Sequence, residues 1–77
     1  MALLIGFAAL AHAGFDEGKA AFGRGDYAKA YEEFKKLAVR GHVKAQGCLG
    51  EMYHSGKGVP QDYAEAVKWF RKAAGPA

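Results

Sequence analysis

The side chains of this chain with the most chemical potential are one cysteine and three histidines: Cys48, His12, His42 and His54. Thiolates and imidazoles are preferred zinc ligands, and a thiolate beside an imidazole is a common nucleophile pair. Cys48 and His54 are six positions apart, which places them about 240° apart around a helix. Since the two side chains do not converge, we expect no metal site and no catalytic site, and Cys48 is expected to be a small buried residue.

A second pattern with chemical meaning is Gly56-Lys57-Gly58, because glycine-rich loops with a lysine can bind phosphate. The segment lacks the Gly-Lys-Ser/Thr order of a phosphate-binding loop, and no strand pattern precedes it. We therefore interpret it as a turn between helices and expect no cofactor.

Basic residues outnumber acidic residues by 11 to 8, which raises the question of a nucleic-acid partner. The basic side chains alternate along the chain with glutamates, namely Glu32, Glu33, Glu51 and Glu65. Such mixing is typical of a solvated helix surface rather than a nucleic-acid interface. No nucleic-acid partner is expected.

Length and cysteine content limit the remaining possibilities. With 77 residues the chain forms one small domain at most, and its single cysteine excludes an internal disulfide framework. A domain of this size buries only about 60% of the surface of its unfolded chain, so its core is marginal. These limits disfavour a self-contained enzyme.

An internal repeat organises the sequence. Asp26–Ala30 and Asp62–Ala66 share the pattern Asp-Tyr-Ala-x-Ala, and seven of the thirteen aligned pairs from Asp26/Asp62 to Ala38/Ala74 are identical. Repeats of this length that contain two helical patterns are typical of helical solenoids. The sequence therefore predicts two stacked helix pairs.

The second helix of each pair is predicted from an apolar stripe with the helical spacing i, i+3, i+4, i+7. The stripes comprise Tyr27, Ala30, Tyr31, Phe34, Leu37 and Ala38 in the first copy, and Tyr63, Ala66, Val67, Phe70, Ala73 and Ala74 in the second. Asp26 and Asp62 are predicted N-caps, and Glu65 is placed to complete a capping box with Asp62. Gly41 and Gly56 are placed to end the preceding helices.

The first helix of each pair is predicted from about Phe15 to Gly23 and from about His42 to Ser55. Gly18 and Gly50 lack side chains, so we expect a neighbouring helix to pack closely against them, which offsets the cost of glycine in a helix. Trp69 lies off the stripe of the last helix. It either packs against a following repeat, leaving an apolar edge open, or covers Val59 and Pro60 within its own repeat.

The second copy contains motifs that resemble the Sel-one-like repeat, a relative of the tetratricopeptide repeat with a longer loop between its helices. The motifs are Leu49-Gly50, Met52-Tyr53, Gly56-x-Gly58-Val59 and Trp69-Phe70-x-Lys72-Ala73-Ala74. Residues 14–41 resemble a degenerate, tetratricopeptide-like first repeat, and residues 42–75 resemble the Sel-one-like repeat itself. Gly47 stands where the family often has a larger residue.

The resemblance implies an all-α fold: a short α-solenoid of two helix-turn-helix repeats, about four helices in total, that follows an N-terminal apolar segment. It also implies a non-catalytic adaptor that binds another protein or peptide. By analogy with the family, the first helix of each repeat lines the inner face. The expected contact residues are Asp16, Lys19, Lys44, Glu51 and His54.

The first thirteen residues are interpreted as a signal segment. Leu3–Leu10 is an apolar stretch too short to span a bilayer, and Ala11-His12-Ala13 fits a signal-peptidase site. Cleavage after Ala13 implies a periplasmic or secreted protein, whereas an apolar capping helix would leave the protein in the cytoplasm.

Two further hypotheses remain at this stage. Some cysteine-rich relatives are linked to β-lactam binding or hydrolysis, which one cysteine argues against, and an inhibitor or immunity-type protein would have the same sequence features. Stacked repeats generally need three or more copies for stability. We therefore expect residues 14–77 to self-associate or to melt below about 65 °C, within the usual mesophile range.

Overall fold

The computed structural model of the chain describes residues 14–75, which contain four helices and no strand. Helix α1 covers residues 14–23 and is followed by α2 (Tyr27–Ala38), α3 (Val43–Ser55) and α4 (Tyr63–Ala74). The all-α prediction is confirmed. The predicted signal segment, residues 1–13, lies outside the described residues.

The predicted caps bound the helices as expected. Asp26 accepts a hydrogen bond from the Lys29 amide at 3.3 Å, and Asp62 accepts one from the Glu65 amide at 3.1 Å. Gly41 and Gly56 have φ of 94° and 70°, in the left-handed region that favours glycine. Asp26 and Asp62 thus begin α2 and α4, and Gly56 ends α3, whereas Gly41 lies in the turn that follows Val39, the C-cap of α2.

The predicted capping box does not form. The Glu65 carboxylate binds the Lys68 ammonium at 2.9 Å instead of returning to the Asp62 amide. The Asp62 N–H donates to the Tyr53 carbonyl at 2.9 Å, which ties the start of α4 to the end of α3. Because the Asp62 N–H already donates to a carbonyl of α3, it is not free to bond the Glu65 carboxylate.

Two glycines allow the helices of each pair to approach closely. A Cβ atom on Gly18 would lie 2.6 Å from Phe34 Cε1, and one on Gly50 would lie 2.5 Å from Phe70 Cε1. No side chain fits in either place, so each phenylalanine ring packs directly on the glycine backbone. The prediction that both glycines serve close packing is confirmed.

One hydrophobic core runs through both repeats. Its buried members are Ala21 from α1, Ala30, Phe34 and Ala38 from α2, Ala45, Leu49 and Met52 from α3, and Trp69 from α4. Because all four helices contribute, neither helix pair buries its apolar side alone.

Polar and aromatic contacts reinforce the junction between the repeats. The Tyr31 and Tyr53 hydroxyls are 2.9 Å apart and share a hydrogen bond between α2 and α3. The Lys57 ammonium lies 5.3 Å from the ring centroids of both Phe22 and Tyr27, within cation–π range. The loop between α3 and α4 therefore contacts the first repeat, which confirms its interpretation as a turn between helices.

The predicted stripe of α4 is wrong for three of its large side chains. Tyr63, Val67 and Phe70 are 60%, 45% and 39% exposed, whereas Ala66 and Trp69 are buried. These side chains lie at the edge of the contact with α3, where Phe70 packs on Gly50 and the Tyr63 ring lies 5.2 Å from the His54 ring. The helix turns its other face, with Trp69, towards the core.

Trp69 does not form the exposed apolar edge that one of its two interpretations expected. It is 7% exposed and belongs to the shared core. The Lys72 ammonium lies 4.7 Å from its ring centroid and the Lys35 ammonium 5.8 Å from it, both within cation–π range.

Candidate functional site

A concavity lies between the first helices of the two repeats. Its volume is about 390 Å³, and its lining comprises Lys19, Phe22 and Gly23 of α1, Phe34 of α2, and Cys48 and Glu51 of α3. We call this concavity the groove. It lies on the side of the molecule where α1 and α3 run next to each other.

The floor of the groove is aromatic. Phe34 is only 2% exposed, and its ring centroid lies 5.6 Å from that of Phe15. The ring reaches this position because Gly18 has no side chain to displace it. At the end of α1, a Cβ on Gly23 would meet no atom within 4 Å, so the groove is open beside that residue.

Cys48 lies on the α3 wall of the groove and is half-buried, less than the sequence led us to expect. Burial raises the pKa of its thiol, and the negative charge of Glu51 raises it further, while Lys19 acts in the opposite direction. A thiol of raised pKa is protonated at neutral pH and is a poor nucleophile. The chemistry of this wall is therefore apolar contact.

Opposite charges stand on the two walls. Lys19 projects from α1 and Glu51 from α3, and both are exposed. Among residues 14–75 neither side chain forms a salt bridge. Each charge is therefore available to a bound molecule, one to an acidic group and the other to a basic group.

Only two of the five contact residues predicted from the sequence line the groove. Lys19 and Glu51 line the groove, whereas Asp16, Lys44 and His54 are exposed without lining it. The His54 ring packs on Tyr63, with 5.2 Å between the ring centroids.

Sequence reasoning missed the groove's apolar lining: Phe22, Gly23, Phe34 and Cys48. Phe34 and Cys48 were assigned to the interior, and an interior position does not reveal that one side faces a groove. The sequence feature that could have indicated the groove is Gly23, a glycine at the end of α1 next to the aromatic Phe22.

His42 has a structural role. His42 Nδ1 accepts a hydrogen bond from the Ala45 amide at 3.1 Å, and so caps α3. Its ring also stacks on Phe15, with centroids 4.9 Å apart and an angle of 25°. Within residues 14–75, no three His, Cys, Asp or Glu side chains are grouped closely enough to hold one metal ion. None of the helices there has the length and hydropathy needed to cross a membrane.

Comparison with known proteins identifies the second helix pair. The Sel1 repeat family model matches residues 43–74. The chain is 47% identical over 45 residues to protein sel-1 homolog 2 of Mus musculus, and 44% identical over 43 residues to DAP3-binding cell death enhancer 1 of Rattus norvegicus. These matches confirm the resemblance to the Sel-one-like repeat.

The relatives are much longer than this chain. The alignments cover 57% and 56% of the chain but only 6% and 8% of the two relatives. No solved structure matches the chain.

Proposed function

Since residues 43–74 of this chain match the Sel1 repeat family model, we propose that the chain is a non-catalytic module that binds a segment of a partner protein in the groove. Sel1 repeats are generally protein-interaction modules and generally lack catalysis. One of the similar proteins is named for binding a protein, DAP3, which agrees with this function class.

The observation that carries the proposal is an aromatic floor between two unpaired charges of opposite sign. An apolar side chain of the partner packs on Phe34, and burying a side chain of that kind contributes about 1.5–3 kcal/mol. An acidic group beside it faces Lys19, and a basic group faces Glu51. The two charges thereby select the direction in which the segment lies.

Glycine substitutions test the groove without removing a charge. Gly23 lines the groove and Gly47 does not, yet a Cβ on either glycine would meet no atom within 4 Å. We expect Gly23→Leu to fill the groove and abolish binding of peptides selected from a random phage-displayed library. Gly47→Leu, the matched control, should bind as the wild type does. Equal binding by both variants would exclude the groove.

Charge reversal tests the two walls. Lys19→Glu should lower the affinity for peptides that carry an acidic residue beside the apolar one. Glu51→Lys should lower the affinity for peptides that carry a basic residue there. Isothermal titration calorimetry with one selected peptide of each kind measures the difference.

The remaining residues of the predicted contact set test how far the segment extends. Alanine at Asp16, Lys44 and His54 removes polar groups outside the groove, so the loss of affinity should be smaller than for Lys19 and Glu51. A larger loss would move the site to the outer surface of α1 and α3.

We also propose that the protein is exported to the periplasm or secreted. The support is the apolar stretch Leu3–Leu10 followed by Ala11-His12-Ala13. Intact-mass measurement and N-terminal sequencing of the protein from its native envelope fraction should give Gly14 as the first residue. Recovery of the uncleaved chain from the cytoplasm would refute export.

A further inference from the structure

Two lysine ammonium groups from different helices lie near the ring of Trp69. The Lys72 ammonium of α4 is 4.7 Å from the ring centroid, and the Lys35 ammonium of α2 is 5.8 Å from it. We call these two lysines and the ring of Trp69 the Trp69 site. It shares no residue with the lining of the groove, so it is a separate feature of the surface.

The acidic residues that border the Trp69 site do not neutralise its two lysines. Glu65 lies on the same side of α4 as Lys72, seven positions away, but its carboxylate is bound to the Lys68 ammonium at 2.9 Å. On α2, Glu32 stands three positions before Lys35 and forms no ion pair with it. Within residues 14–75, both positive charges of the site therefore lack a bound carboxylate.

The helix dipoles explain only part of this arrangement. Lys35 and Lys72 lie in the last turns of their helices, where a cation is favourable, but Lys36 and Arg71 lie in the same turns. The dipole therefore does not account for two ammonium groups at one ring. Like charges held there repel each other, and Lys35 is half-buried, so solvent screens its charge less than that of an exposed lysine. A bound anion would offset this repulsion.

A pair of tyrosines supplies a further hydrogen-bond donor next to Lys35. The Lys35 ammonium donates to the Tyr31 hydroxyl at 3.4 Å, and the Tyr31 and Tyr53 hydroxyls are 2.9 Å apart. The bond between the hydroxyls uses one of their two protons, whichever residue donates. Among the described residues the other proton has no acceptor, so it is available to a bound anion.

From the two uncompensated ammonium groups and the neighbouring hydroxyl donor, we propose that the Trp69 site binds an acidic segment of a partner protein. Carboxylates form strong charge-assisted hydrogen bonds with ammonium groups. A peptide can place its carboxylates opposite the lysines alone. A nucleic-acid strand carries a charge on every nucleotide and would also face Glu32 and Glu65. The interleaved charges of this surface therefore favour the peptide.

The fluorescence of Trp69, the only tryptophan, reports binding at this site. The probes are a peptide of alternating glutamate and serine, a glutamine and serine peptide of the same length, and a single-stranded oligonucleotide of the same charge as the first. We expect the glutamate peptide to bind most tightly, with an affinity that falls as salt rises. No change in emission with the glutamate peptide overturns the proposal, as does binding of either other probe with equal or higher affinity.

Lysine substitutions test where the glutamate peptide binds. Lys35→Met and Lys72→Met each remove one charge and keep an apolar side chain, and each should weaken binding about threefold to fivefold, as for a partly exposed ion pair. Isothermal titration calorimetry measures the affinity, because these substitutions also change the surroundings of Trp69.

The matched control is Lys29→Met, which removes the same charge from α2 at a point about 240° around the helix from Lys35. The Lys36 ammonium remains 3.7 Å from Glu33 in that variant, so no carboxylate is left without a partner. We expect Lys29→Met to bind the peptide as the wild type does. Equal weakening by all three variants would show attraction to net charge only and refute the site, and so would unchanged binding by Lys35→Met and Lys72→Met. None of these residues lines the groove, so either result leaves the proposed function untouched.

Discussion

Three glycines lie inside α1 and α3, and close packing requires two of them but not the third. Gly18 and Gly50 lie directly under phenylalanine rings, whereas a Cβ on Gly47 would meet no atom within 4 Å. Glycine inside a helix is less stable than alanine by about 1 kcal/mol. Close packing therefore compensates this cost at the first two positions and does not do so at the third.

Alanine substitutions should reveal this difference. We expect Gly47→Ala to raise the free energy of unfolding by about 1 kcal/mol. Gly18→Ala should lower it, and Gly50→Ala should lower it less, because Phe70 is 39% exposed and can turn aside while the 2%-exposed Phe34 cannot. Urea denaturation followed by circular dichroism measures all three. Equal effects at Gly18 and Gly50 would contradict the close-packing account.

The Cys48 thiol gives a second prediction at this scale. Only the thiolate reacts with iodoacetamide, so the alkylation rate against pH reports the pKa of Cys48. We expect a midpoint above the ordinary thiol value of about 8.5. Glu51→Gln should lower the midpoint and Lys19→Met should raise it, because these charges act in opposite directions. Unchanged midpoints would mean that neither charge is near the thiol.

The same pKa shift determines how stability depends on pH. Burial raises the pKa of Cys48, and burial with the Tyr31 hydrogen bond raises the pKa of Tyr53. Because the unfolded chain ionises at lower pH, the stability contributed by both groups is complete below their ordinary pKa values. It declines as pH rises above about 8.5, first through Cys48. Cys48→Ser should flatten the early part of that decline in urea titrations, and an unchanged decline would exclude Cys48 as its cause.

At the scale of the elements, α3 begins unusually, because histidine is not among the preferred N-cap residues. His42 caps α3 and also stacks on Phe15 of α1. We expect His42→Ala to lower the free energy of unfolding by about 1 kcal/mol for the cap alone, with a further loss from the stacking. His42→Asn should restore only the cap, so thermal melts of both variants separate the two contributions. Equal melting temperatures for the two variants would mean that the cap does not contribute to the stability of the protein.

Helix boundaries were predictable because the residues that set them act locally. Asp26 and Asp62 bond amides three residues on, and Gly41 and Gly56 take backbone angles that other residues avoid. Each of these effects needs only the neighbouring sequence. The capping box failed for the complementary reason, since the Asp62 amide found its partner in another helix.

The buried face of α4 was not predictable in the same way. Periodicity shows which side chains of a helix are apolar, but burial depends on which neighbour is present. Tyr63, Val67 and Phe70 form the more regular stripe, yet the helix buries Ala66 and Trp69. The lining of the groove was missed for a related reason, because Phe34 belongs to both the core and the groove.

At the scale of the whole molecule, the two repeats should unfold together. Trp69 belongs to the second repeat and Phe34 to the first, and both are in one core cluster. Unfolding followed by fluorescence of Trp69, the only tryptophan, should therefore coincide with unfolding followed by far-ultraviolet circular dichroism. Separate midpoints would show that the repeats are independent units and would contradict a shared core.

Phe34 connects thermal stability to recognition. The ring belongs to the core shared by both helix pairs and also lines the groove in which we propose that a partner's side chain packs. A molecule that binds only the folded chain raises its melting temperature in proportion to the logarithm of its concentration. Candidate partners can thus be screened by the shift that they cause in the melting temperature. A substitution of Phe34 that changes the proposed binding preference should therefore also change the melting temperature of the protein.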